Sequence, residues 1–232
     1  MKDLLITGGL GFIGSELANF LHNKFNIIIF DKPRIEMIDY FFDKPLNLVS
    51  RDEGIEAIYE INPDIIIHLG AKSCTDLCDP VSAYENNTNF TNKLIDFSKN
   101  NEKKLIYASS AATYGDGSNG FEDSHEFSEL SKLRPLNLYG WSKHNSDLYL
   151  AEYLKNESNS KNLIGLKFFN VFGRNEIHKK HMASVISKMI PKIKKGEKIT
   201  LFKHFYNNVY WEAERDFIYA GDICRIIEKI IN

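Results

Sequence analysis

Short runs of β-branched and other apolar residues alternate along this chain with stretches whose apolar positions recur every three or four residues. The runs are LLIT (4–7), NIIIF (26–30), DIIIHL (64–69), KLIYAS (104–109) and NLIGLKFF (162–169). Helical periodicity lies between and after them, over about Phe12 to Asn23, Val81 to Asn100, Tyr139 to Glu157 and Ala183 to Lys195. A strand that carries no polar alternation is buried on both faces, which is the condition of a parallel sheet covered by helices on each side. The pattern therefore predicts an α/β fold, a doubly wound parallel sheet over residues 1–170. A smaller part, 171–232, follows and includes a returning strand and helix.

Two stretches carry no clear period. Residues 116–135 are polar, with Gly115, Gly117 and Gly120 around their start, and read as a loop near a ligand. Residues 31–47 hold two prolines and the aromatic cluster Tyr40-Phe41-Phe42, and no element is assigned there.

Composition narrows the function classes. A chain of 232 residues with 43% hydrophobic residues can bury a sizeable core. With 29 basic and 31 acidic residues, net charge −2, nothing draws it to nucleic acid or to a membrane surface. No apolar run approaches the roughly 18 residues of a membrane span, and Met1 leads directly into a strand, so a cytoplasmic protein is expected. Cys74, Cys78 and Cys224 are too few and too oddly spaced for a disulfide framework or a closed metal site, and we expect no metal.

Three constellations carry chemistry. In TGGLGFIGS (7–15), Gly8, Gly11 and Gly14 follow a strand and open a helix. Glycines there allow a tight turn and close backbone approach to a pyrophosphate, which the free N–H groups and dipole of the helix start attract. Asp31 ends the next strand, where a carboxylate can accept from ribose hydroxyls; Lys32 and Arg34 beside it could pair with a 2′-phosphate instead. NAD and NADP both stay open, and the basic neighbours favour NADP.

The third constellation joins YASSAATYG (107–115), a strand ending on Ser109 and Ser110, to YGWSK (139–143). Tyr139 and Lys143 are four apart, so they share a helical face. A phenol with an ordinary pKa of about 10 needs its anion stabilised to act as a base near neutrality, and an adjacent ammonium can do this. Lys143 is therefore expected to lower the pKa of Tyr139 and to hold a cofactor ribose, with Ser110 bonding the reacting oxygen.

At these motifs the chain resembles the extended short-chain dehydrogenases/reductases, a Rossmann-type group that includes the nucleotide-sugar epimerases and dehydratases. FFNVFGRNEIHKKHMASVI (168–186), with PLNLYGWSK before it and RDFIYAGD after it, is similar to the ADP-L-glycero-D-manno-heptose 6-epimerase family in particular. The resemblance implies a tightly bound NADP, with NAD as the variant. It further implies an ADP-heptose substrate for lipopolysaccharide synthesis, inverted at C6 by oxidation and re-reduction, and a homo-oligomer. Lys179 becomes the second acid/base residue opposite Tyr139. Gly8, Gly11, Phe12, Ile13, Gly14, Asp31, Lys32, Gly70, Ala71, Asn86, Lys143 and Val171 become cofactor contacts. Ser110, Asn170 and Arg215 become substrate contacts.

The chain also departs from that family. His181 replaces a small residue, LFKHF (201–205) replaces an LFEGS-like loop, and the family continues well beyond residue 232. The substrate-binding part is thus expected to be incomplete. The competing expectations are another nucleotide-sugar epimerase, such as a UDP-hexose 4-epimerase, or a binding module that holds dinucleotide without turnover. A dehydratase wants an Asp-Glu pair where this chain has Ala111-Ala112.

Overall fold

The computed structural model of the chain describes residues 1–43, 45–73, 79–155, 161–200, 203–206, 209–212 and 214–232. Six parallel strands form its centre: β1 (Asp3–Thr7), β2 (Asn26–Asp31), β3 (Asn47–Ser50), β4 (Ile65–His68), β5 (Lys104–Ser110) and β6 (Leu163–Phe168). Their order in the sheet is β3-β2-β1-β4-β5-β6. The isoleucine-rich runs stack in register, Ile6 beside Ile29 on one side and Ile67 on the other, and all three are fully buried. Continuous apolar runs form these strands because helices cover both faces.

On one face lie α1 (Phe12–Leu21) and α9 (Ala220–Ile231). Leu17, Ala18 and Leu21 share a core there with Ile223, Cys224, Ile227 and Ile231, so the last helix returns onto the first. On the other face α3 (Glu56–Ile61), α5 (Phe90–Asn100) and α7 (Leu138–Leu154) contribute Ile58, Leu94, Ile95 and Leu150.

The helix predicted over 81–100 is interrupted. A short α4 (Pro80–Ala83) leads into a six-residue π turn, Tyr84–Asn89, before α5 begins. Asp79 caps α4, its carboxylate accepting from the Ser82 N–H at 2.9 Å. The unassigned segment 31–47 forms α2 (Ile35–Phe41) and leads into β3. Its aromatic cluster has a packing role: Phe41 stands edge-on to Tyr40 at 4.9 Å and to His178 at 5.1 Å between ring centroids.

After β6 the chain leaves the large sheet. β7 (Asn170–Phe172) pairs in parallel with β10 (Phe217–Tyr219), and nine residues in 3₁₀ turns, Arg174–Met182, precede α8 (Val185–Lys194). A hairpin of β8 (Lys203–Tyr206) and β9 (Val209–Glu212) follows α8; a short α6 (Phe127–Leu130) lies in the polar loop before α7. Cys74 and Cys78, the side chain of His181 and those of residues 201–205 lie outside the described residues. Among the described residues no helix is long and apolar enough to cross a membrane.

Candidate active site

The strand order reverses between β1 and β4, and open α/β sheets bind ligands at the strand C-termini beside such a reversal. The glycine turn occupies this position. Gly8 has φ +69°, and a Cβ on it would stand 2.7 Å from the Gly70 Cα at the end of β4. A Cβ on Gly14 would meet the Gly8 carbonyl oxygen at 2.3 Å, so only glycine lets α1 start this close to the turn. The Asp31 carboxylate holds the turn from the side, accepting from the N–H of Leu10 at 3.0 Å and of Lys32 at 2.7 Å.

Two clefts meet at Gly8, Gly11, Leu69 and Ala71. The smaller, about 170 Å³, runs between Asp31, Arg34, Arg51, Gly70 and Phe90. The Arg51 guanidinium lies 5.4 Å from the Phe90 ring centroid and donates to Asn86 Oδ1 at 2.6 Å. The larger cleft, about 380 Å³, has Ser110, Tyr139 and Lys143 on one wall, and Asn170, Val171, Glu176 and Lys179 elsewhere around it.

The Tyr139 wall is set by the start of α7. Asn137 caps that helix, its side-chain oxygen accepting from the Gly140 N–H at 2.8 Å, and a Cβ on Gly140 would meet the Ala112 carbonyl oxygen at 2.7 Å. The glycine thus lets the helix start lie against the turn that follows Ser110. Lys143 is 2% exposed and its Nζ has no hydrogen-bond partner. Burial depresses its pKa to about 8, the Asp147 carboxylate one turn on opposing this.

Burial also pushes the Tyr139 phenol above its ordinary value, with the hydrogen bond to Ser110 pulling the other way. This corrects the expectation that Lys143 lowers Tyr139 in the chain by itself. Burial dominates both groups: for Tyr139 the opposing influence is Ser110, and for Lys143 it is Asp147, so neither shift is set by the other group's charge.

The Lys179 part of the lining rests on α1. Lys179 Nζ lies 4.7 Å from the Phe12 ring centroid, Asn175 Nδ2 donates to Glu16 at 3.2 Å, and His178 packs on Phe41. Burial lowers the Lys179 pKa and the charge of Glu176 opposes the lowering.

A buried ammonium without a partner is costly unless a ligand supplies acceptors. Lys143 beside a glycine turn fits the ribose of a dinucleotide, and the clefts on either side of that turn fit its two halves. Residues 4–232 match the NAD dependent epimerase/dehydratase family. The chain belongs to this family. It is 37% identical over 240 residues to an ADP-L-glycero-D-manno-heptose-6-epimerase of Fusobacterium nucleatum subsp. nucleatum, spanning 97% of this chain and 69% of that protein. A Brachyspira hyodysenteriae protein of the same name is 33% identical, over 96% of this chain and 70% of its own length. The crystal structure of Helicobacter pylori ADP-L-glycero-D-manno-heptose-6-epimerase superposes with a TM-score of 0.80 at 26% identity, over 99% of this chain and 73% of that one.

For a member of the NAD dependent epimerase/dehydratase family the cofactor is a nicotinamide dinucleotide. Of the residues singled out from the sequence, Gly8, Gly11, Phe12, Ile13, Gly14, Ala71, Ser110, Tyr139, Lys143, Asn170, Val171 and Lys179 line the larger cleft. Asp31 and Gly70 line the smaller. Three stand apart from both walls: Lys32 is exposed, 3.8 Å from Asp52; Arg215 is exposed before β10; and Asn86 reaches the smaller cleft only through Arg51.

Four further residues escaped the sequence reading. Asn87, fully buried on the π turn, binds both the N–H and the carbonyl of Lys72 and the Ser142 hydroxyl, tying the loop after β4 to α7. Asp147 gathers Tyr107, Ser109 and Lys167. Arg51 and Glu176 complete the set. Only Glu176 had a local signal, its spacing of three from Lys179; the others depend on contacts between distant segments.

Proposed function

We propose that the chain epimerises ADP-D-glycero-D-manno-heptose to ADP-L-glycero-D-manno-heptose at C6, with NADP as the resident cofactor. The observation that carries this reading is one cleft lined by Tyr139, Ser110 and Lys179, next to an unpartnered Lys143. C6 of the heptose bears no acidic proton, so inversion by deprotonation at carbon is closed. A nicotinamide would supply the reversible hydride acceptor that the carbon requires.

The chain's own residues then handle the oxygen. Tyr139 or Lys179 takes the C6 hydroxyl proton as the alcohol becomes a ketone, and the other returns a proton when hydride comes back to the opposite face. Ser110 holds the oxygen against Tyr139. Lys143 binds the ribose, and its charge, once the ribose hydroxyls solvate it, favours the Tyr139 anion. Asn170 and Arg215 are assigned to the substrate, Arg215 to its diphosphate.

Arg34 and Arg51 support NADP over NAD, because both guanidinium groups line the cleft beside Asp31, where a 2′-phosphate would gain charge-assisted hydrogen bonds. Exposed Val81, Tyr84 and Trp141, on α4, the π turn and α7, which pack together, support a homo-oligomer built on that face.

The test is incubation of the purified protein with ADP-D-glycero-D-manno-heptose, following the C6 configuration by NMR, with the bound dinucleotide identified by mass spectrometry. Conversion that Tyr139→Phe and Lys179→Met each abolish is expected. Bound dinucleotide with no conversion would overturn the substrate assignment and favour another nucleotide sugar or a binding module.

A further inference from the structure

Glu176 is a carboxylate in a place where carboxylates are rare. It is 2% exposed and lines the larger cleft, three residues before Lys179 on the 3₁₀ segment. In 3₁₀ turns, side chains three apart eclipse, so the two lie on one face of that segment. Both of its oxygens are engaged: Oε1 accepts from the Ser184 N–H at 2.6 Å, and Oε2 accepts from the hydroxyls of Ser184 at 2.7 Å and Ser187 at 2.5 Å. Ser184 is the N-cap of α8, its hydroxyl also receiving the Ser187 N–H at 3.2 Å.

Two consequences follow. The hydrogen bonds lock the Lys179 segment to the start of α8, and α1 already braces its other side through Asn175, so the lysine is held from both ends. The carboxylate is also a negative charge fixed beside Lys179, in a wall where burial alone favours the neutral amine. A side chain that only stapled two elements together could be an amide; one that also serves the lysine must be charged.

We propose that Glu176 is a positioning residue for Lys179, holding its ammonium at the cleft wall and keeping it protonated there. The proposal rests on the acid/base reading of Lys179 given above. The ionisable groups around Lys179 are Glu176 and neighbouring His178 on its own segment and Glu16 on α1, which is held by Asn175; Tyr139 and Lys143 of α7 line the same cleft. Of these, Glu176 is the carboxylate whose charge bears on Lys179.

The test reads Lys179 without relying on turnover. The protein is labelled with trace acetic anhydride across a pH series, and acetylation of the Lys179 peptide is quantified by mass spectrometry. In Glu176→Gln, which keeps the size and acceptor oxygen but not the charge, the labelling midpoint is expected to fall by about one pH unit. In the heptose assay the same variant should lose about tenfold in kcat with KM within about threefold, and the kcat profile should move in the same direction. An unchanged midpoint in folded Glu176→Gln overturns the proposal.

If Glu176→Gln does not fold, Glu176→Asp decides: it keeps the charge but draws it back, so a midpoint below wild type supports the proposal and an equal one overturns it. Failure of the epimerase reading looks different. Wild type would then show no conversion while the midpoint shift persists.

Discussion

The Lys179 ammonium rests over the Phe12 ring at 4.7 Å, so the Lys179 part of the cleft is supported by the first residue of the helix that follows the glycine turn. Phe12 is 2% exposed, and a Cβ on Gly173, ahead of the 3₁₀ segment, would meet its ring at 3.2 Å. The glycine-turn helix and the Lys179 segment are therefore one packed unit.

Replacing Phe12 by leucine keeps an apolar side chain there and removes the ring face. A cation–π contact of this kind is worth about 0.5–1 kcal/mol. We expect kcat for heptose epimerisation to fall about threefold to fivefold, with dinucleotide affinity changed less, read by steady-state kinetics and dinucleotide titration.

Lys143 sets a pH dependence whose sign can be derived. Its folded pKa, about 8, is below the value of about 10.4 it takes in the unfolded chain. The unfolded state then binds the proton more tightly, so this residue destabilises the cofactor-free protein below about pH 8 and ceases to do so above about pH 10. Lys143→Met should raise the urea-unfolding free energy of the cofactor-free protein at neutral pH by up to about 3 kcal/mol. The gap to wild type should narrow between about pH 8 and pH 10, while epimerisation is lost. A gap that does not change with pH would contradict the assigned burial.

Asp147 lies one turn after Lys143 on α7, its buried carboxylate accepting from Tyr107 at 2.8 Å, Ser109 at 2.7 Å and Lys167 at 2.9 Å. Lys167 is itself largely buried, and removing one partner of a buried pair costs about 3–5 kcal/mol because the other charge is left unpaired. Asp147→Asn is predicted to lose stability on this scale in urea titrations. Tyr107 supports the expectation, since burial and then the Asp147 charge hold its phenol well above the ordinary range.

Arg51 is held by Asn86 and stacked on Phe90 at the wall of the smaller cleft. Arg51→Gln should weaken NADP binding about tenfold more than NAD binding, and Asn86→Ala should produce a smaller loss of the same preference, both by fluorescence titration. Equal losses for the two dinucleotides would remove Arg51 from phosphate recognition.

Much of this was legible along the chain because it is encoded locally. Uninterrupted isoleucine runs specify strands buried on both faces, glycines at 8, 11 and 14 specify a turn without side chains, and a spacing of four puts Tyr139 and Lys143 on one helical face. Lys179 came from resemblance, since its own surroundings in IHKKH look like a solvated basic pair. Nothing local marks Asn87, Arg51 or Asp147, whose partners lie on other elements.

The tertiary structure decided the rest. It placed Phe41 on His178, joined Arg51 to Asn86, and returned Ile223 and Ile227 of α9 to the core of α1. It also reversed the expected proton affinity of Tyr139, raised by burial despite the lysine one turn away. Periodicity states which face of an element is apolar, and spacing states which side chains share that face. Desolvation depends on every segment packed around a group, so how readily Tyr139 and Lys143 carry charge was settled only when distant parts of the chain closed over them.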